Sequence, residues 1–269
     1  MTRFKSSWSN YLFSALLLVS MFFILYSCNS GNDKKEFKNE KGQLVVQEWY
    51  SIDKLKSETT YLNSGKSDYI YVAFNENGRL IDSGRYVNDT ITGFHKFFEE
   101  KTNLMHFEHF KNGVLNGKHK ALYSGGATSF EGFRKDGFLV GEWKFHYPDG
   151  KMITYEYYDS SGRVKYFRKY DDEGKTVKIN GDGIISVNIS NPSEANPIGL
   201  AEVAIPDYCN VNLKITQKGS IVFEKQVIQP RVPFSLKAGN ENIGKLNFQL
   251  SIVEKKTGKE ETYSFEKNY

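Results

Sequence analysis

Cysteine is nearly absent from the 269-residue chain, which has two, Cys28 and Cys209. With Cys28 assigned below to a lipid, Cys209 has no partner within the chain, and an intramolecular disulfide framework is excluded. A disordered chain is excluded as well, because prolines number only six and the aromatic content is 15%, with 20 Phe and 17 Tyr. Mean hydropathy of −0.53 rules out a polytopic membrane protein. No G-x-S-x-G, H-E-x-x-H or paired-cysteine ligand motif occurs, so no enzyme and no cofactor is expected. Long Ala or Leu runs are missing outside the N-terminus, whereas 23 Gly and the aromatics are plentiful. Short strands joined by turns, an all-β protein, are the reading.

The one long apolar run stands at the N-terminus. Arg3 and Lys5 precede an apolar stretch from Leu12 to Tyr26, then Ser27-Cys28. This is the order of a secretory signal, charged region first, then a short apolar core and a small residue at the cut. Leu25-Tyr26-Ser27-Cys28 resembles a bacterial lipobox, which makes 1–27 a lipoprotein signal peptide and Cys28 the acylated residue. Two or three acyl chains would hold the protein on a membrane almost permanently. Asn29, in place of Asp, points to the outer membrane of the cell envelope, and the polar stretch within 28–44 reads as a tether. Loss of Arg3 and Lys5 takes the 36 basic residues to 34 against 32 acidic, a balance of +2 that recruits no nucleic acid.

Residues 45–179 carry a 24-residue period. Gly93, Gly117 and Gly141 share one column, and Gly78, Gly126, Gly150 and Gly174 share another whose missing member is Thr102. Asn88, Asn112, Asp136 and Ser160 precede Asp89, Gly113, Gly137 and Ser161 in a third. Each unit has two turn signals separated by aromatic-rich runs, so one unit is one β-hairpin and successive hairpins stack into an elongated antiparallel meander. The stretch Gly141-Glu142-Trp143-Lys144-Phe145-His146-Tyr147-Pro148-Asp149-Gly150-Lys151 resembles the G-x-W-x-F-Y-x-x-G-K core of MORN-repeat variant (YwqK-type antitoxin-like) proteins. Lys111 to Gly117 and Arg134 to Gly141 resemble the segment that links units in that family. The resemblance covers about residues 46 to 175, with His95 and His119 where the core motif has Trp.

The lattice stops near Asn180 to Gly183, and alternation such as Val211, Leu213, Ile215 and Leu246, Phe248, Leu250, Ile252 begins. About seven strands over 180–269 suit a small immunoglobulin or fibronectin III-like β-sandwich, expected to fold independently. Gly239 to Lys245 has phosphate-loop spacing, but Leu246 replaces the magnesium-binding Ser or Thr and a strand follows, so it reads as a hairpin turn.

All five histidines, His95, His106, His109, His119 and His146, lie in the repeats. Equivalent positions on successive hairpins are about 9.5 Å apart, which keeps His95 and His119 from sharing a metal. Register could oppose His95 to His106 and His109 to His119, yet 106 and 109 face opposite sides and no third ligand follows. No metal site is expected. Trp143, Tyr147, Tyr155 and Tyr157 are the candidate binding patch, as core packing or as an exposed stripe. The expected function is a non-catalytic envelope lipoprotein with a protein partner bound along the repeat face; the alternative is glycan binding by exposed aromatics.

Overall fold

The computed structural model describes residues 33–190, 197–236 and 243–269, and all their regular elements are β-strands. The expected signal segment with Cys28, residues 191–196 and residues 237–242, which include the first four of the Gly239 to Lys245 stretch, lie outside the described residues. Among the described residues no helix is long and apolar enough to cross a membrane. Fourteen strands form one antiparallel meander, each bonded to its neighbour in sequence, with one two-residue strand off the path. Two smaller sheets follow it. The chain divides into two compact units, Met1–Leu80 and Ile81–Tyr269.

The first unit holds β1 (Asp33–Lys38), β2 (Leu44–Ser51), β3 (Lys54–Tyr61) and β4 (Asp68–Phe74). Part of the expected tether is therefore a strand: Asp33 to Lys38 pair with Trp49 to Leu44. Every side chain of β1 is exposed, so the strand is held by its backbone ladder and leaves no apolar alternation to read. Burial in this unit is thin, and Val45, Ser57 and Ala73 carry it. Tyr50 donates its hydroxyl to the Phe74 carbonyl (3.2 Å).

The second unit, from Ile81, holds β5 (Leu80–Val87) but for its first residue, then β6 (Thr90–Glu99), β7 (Leu104–Lys111), β8 (Val114–Leu115), β9 (Gly117–Leu122), β10 (Thr128–Lys135), β11 (Phe138–His146), β12 (Met152–Tyr158), β13 (Val164–Tyr170) and β14 (Thr176–Gly181). Each glycine column of the sequence has its own geometry. Asn112-Gly113 and Asp136-Gly137 place two successive residues at positive φ, as does Asn88-Asp89, the signature of two-residue type I′ turns. Gly78, Gly126, Gly150 and Gly174 close the alternate turns at φ of 75 to 85°, each donating its N–H to the carbonyl three residues back. Gly93 and Gly141 fall where the β5–β6 and β10–β11 registers slip, so that column marks bulges. Ser160-Ser161 departs from its column. It lies inside a turn from Asp159 to Gly162, whose Asp159 Oδ1 accepts from the Ser161 and Arg163 N–H groups. From β11 to β14 the turns are all of the kind closed by a bond three residues back, and their spacing shortens to 12 residues.

The last seven strands are β15 (Ile184–Ser190), β16 (Ile198–Val203), β17 (Cys209–Gln217), β18 (Ser220–Val227), β19 (Arg231–Ser235), β20 (Lys245–Glu254) and β21 (Glu260–Asn268). They form a three-stranded sheet, β15-β16-β19, and a four-stranded sheet, β18-β17-β20-β21. Alternate residues of each point inward, and Phe234 meets Phe248 edge-on across the gap (5.7 Å between centroids). Sheet membership changes after Gly181, but packing does not. Met152, Tyr155, Tyr157, Tyr166 and Tyr170 of β12–β13 belong to one buried cluster with Val203, Val211, Leu213, Phe248 and Leu250. Independent folding of the sandwich is thus not what the core indicates: tyrosines of the repeats fill one end of it. Arg168, fully buried on β13, ties the two parts together through Glu261 (2.9 Å) and Glu254 (3.4 Å), and it donates to Thr176 of the adjoining β14 (2.9 Å). Burial opposes the charge on Glu254, but hydrogen bonds from Thr176 and Thr257 and the Arg168 charge hold its carboxyl down to about 2. Cys209 is buried, and burial pushes its thiol up to about 11, an inert state.

Candidate functional site

A cleft of about 1030 Å³ opens between β9–β12 and the three-stranded sheet with the approach to β19. The repeat wall is offered by side chains that alternate away from the buried face, among them Lys118, Glu131, Phe133 and Lys135. Phe133 is 56% exposed, which makes it an apolar contact standing among charges. The deeper wall is pre-bonded. Tyr155 donates to Glu142 (2.5 Å) and accepts the Ile205 N–H (3.0 Å), while Tyr157 donates to Glu202 (2.6 Å). Glu202 also accepts from Ser186 (3.1 Å) and lies 3.6 Å from Arg231. Burial raises the Glu142 carboxyl above its ordinary range, with the Tyr155 bond opposing. Burial likewise pushes the Tyr155 and Tyr157 hydroxyls well up, so both serve as neutral donors. Both carboxylates are therefore engaged in holding the wall, which becomes a rigid, mixed-charge surface.

The sequence-selected aromatic patch divides. Trp143, Tyr155 and Tyr157 are buried (1%, 0% and 3% exposed), and only Tyr147, in the β11–β12 turn, reaches solvent at 36%. Trp143 lies over Gly132, where an added Cβ would come within 2.3 Å of the indole, and it donates to the Phe133 carbonyl (3.0 Å). These rings are structural, and they present no exposed stripe on which a sugar could stack.

A row of side chains runs along the buried face beneath: Gly84 opposite His95, His95 opposite Glu108, His119 opposite Gly132, and Trp143 opposite Glu156. His95 is therefore not opposite His106, which pairs with Phe97. A two-residue loop after Glu99 would have made that pair, but the loop has four residues, with Asn103 at positive φ, and the register moves by two. His95 Nε2 is 2.8 Å from Asp82, and its Nδ1 is 3.6 Å from Glu108 Oε2. Burial disfavours its charge, but the Asp82 and Glu108 carboxylates prevail and raise it to about 9. His119 Nε2 lies 3.1 Å from Glu108 Oε1, and Arg134 donates to its Nδ1 (3.1 Å). Burial pushes this ring down to about 4, with Glu108 opposing and the Arg134 charge adding to the depression. Glu108 is the residue that sequence reasoning missed. It carries no motif, and its meaning depends on the register that brings it between two histidines. No known protein family matches the chain, and no curated protein matches it.

Proposed function

We propose that this protein is a cell-envelope lipoprotein, anchored through Cys28, that binds a protein partner without catalysis. The supporting observation is the cleft, which has one repeat wall and one sandwich wall and is held open by tyrosine–carboxylate bonds. Preformed walls reduce the ordering cost of binding. Its mixed charges, with Phe133 as an apolar contact, suit an extended polypeptide segment better than a sugar, since Trp143, Tyr155 and Tyr157 are buried and leave the half-buried Tyr158 as the lining tyrosine that solvent reaches. The resemblance to MORN-repeat variants, where stacked hairpins make an extended face, agrees with a binding role. A photo-crosslinking amino acid introduced in place of Phe133 tests the reading in intact cells. Protein adducts at position 133, absent when the same group replaces Ile221 of β18, are expected. Glycan adducts alone, or equal protein capture at both positions, would sink it. Cys28→Ser should release the protein from membranes or leave its signal uncleaved, and fatty-acid labelling that survives the substitution would refute the anchor.

A further inference from the structure

We propose that His106, Glu108 and His119 form a site for a divalent transition metal, with Zn²⁺ the ion best suited to two imidazoles and a carboxylate. One ligand atom from each lies within 4.8 Å of the other two, and all three residues are buried. Metal bonds of about 2.0–2.1 Å in a tetrahedral set would bring donors to roughly 3.3 Å apart, so modest side-chain rotations close the site. Glu99 Oε2, 3.4 Å from His106 Nε2, is a fourth donor within reach, and its partial exposure links the site to solvent.

The ring nitrogens point to the same conclusion. His106 Nδ1 and Nε2 and His119 Nε2 are buried and make no aligned hydrogen bond within the protein. Aromatic packing does not answer for them. His106 stacks on Phe97 (4.6 Å, 12°), and His119 meets Trp143 edge-on (5.7 Å, 89°), contacts that satisfy faces and edges but leave these in-plane ring nitrogens without an aligned partner. A metal would bond one of these nitrogens in each ring, once the His119 proton has moved from Nε2 to Nδ1. The outer shell is also in place: Asp82 holds His95, which in turn faces Glu108 Oε2 and leaves Oε1 turned toward His119.

One contact opposes binding, and it makes the inference sharper. A neutral imidazole that gives Nε2 to a metal carries its proton on Nδ1, whereas His119 Nδ1 now accepts from Arg134 Nε. Arg134 must yield that bond, keeping its second one to the Gly137 carbonyl (2.9 Å). A glutamine at 134 would supply a carbonyl that accepts the Nδ1 proton.

The test uses the untagged full chain in detergent, stripped with a chelator, then titrated with Zn²⁺ by calorimetry and with Co²⁺ by visible absorption. The wild type should bind one ion and show the intense ligand-field bands of four-coordinate Co²⁺. Glu108→Gln and His119→Gln should lose both signals, and His109→Gln, on the exposed side of β7, should keep them. Arg134→Gln should bind about ten-fold more tightly, the scale of outer-shell effects. No binding of either ion by the wild type would overturn the proposal, as would binding retained in both ligand variants. If the ligand variants do not fold, Arg134→Gln decides: unchanged or weaker affinity would refute the assigned geometry.

Discussion

Strands β6–β11 and strands β12–β14 belong to the same repeat and bury their side chains by different means. In β6–β11 the inward row is made of His95, Glu108, His119 and Trp143, with Gly132 and, on the adjoining β5, Gly84 set beside them, and the larger residues lie over the glycines. In β12–β14 the inward residues are Tyr155, Tyr166, Arg168 and Tyr170, each at 0% exposure and most packed in the sandwich core. The first stretch excludes water sideways, ring against neighbouring ring along the sheet. The second does so in the usual way, by a second layer. The same hairpin thus serves both settings, and the inward residue type records which one it is in.

The strongest challenge to this comparison is to remove one layer. Residues 183–269 expressed alone should fail to unfold cooperatively, because Tyr155, Tyr166 and Tyr170 complete their core. A sharp thermal transition in that fragment would show that the tyrosines cover a core that closes without them.

Arg168 tests the same junction at one residue. Arg168→Met strands Glu254 beside Glu261, and removal of one partner of a buried pair costs about 3–5 kcal/mol. Urea unfolding should show that loss, and adding Glu254→Met should recover part of it. The pH dependence follows from the low value of Glu254. A depressed carboxyl contributes its full stabilisation above its unfolded value, about 4.3, and loses it as pH falls toward about 2. Acid titration of the melting temperature should therefore show a component between those limits in the wild type that is weaker in Arg168→Met.

Within the one-layer stretch the glycines should rank by clearance. Gly132→Ala drives a Cβ to 2.3 Å from the Trp143 indole, and overpacking of this kind costs about 1–3 kcal/mol. Gly84→Ala meets the His95 ring at 3.0 Å, and a small ring movement relieves it. Equal destabilisation of the two in thermal melts would mean that the indole does not rest on Gly132.

Much of this was legible in the sequence, and the rest was hidden for physical reasons. The all-β class, the 24-residue lattice and the alternation of Val211 to Ile215 and Leu246 to Ile252 report local backbone needs, which a sequence records directly. The strand Asp33–Lys38 was hidden because backbone pairing with every side chain exposed asks nothing of residue type. Burial of Trp143, Tyr155 and Tyr157 follows from which face meets another layer, and alternation marks two faces without naming the inner one. The grouping of His106, Glu108 and His119 required the irregularity between β8 and β9 near Gly117, which shifts the partners of β7 by two residues.

The smallest effect isolates the turns from both kinds of packing. A Cβ on Gly126 meets nothing within 4 Å, but its φ of +85° is costly for an L-residue, so Gly126→Ala should lose about 1 kcal/mol through backbone strain alone. Gly126→Asn should lose less, because asparagine tolerates the left-handed region. The chain already makes this substitution for itself: in the β6–β7 loop, where the glycine lattice fails at Thr102, the next residue, Asn103, takes φ of +56°. The positive φ has moved by one position and passed to the side chain that accepts it most readily. If Ala and Asn at 126 prove equally destabilising in urea titrations, contacts missing from the turn, rather than its φ, would set the glycine lattice.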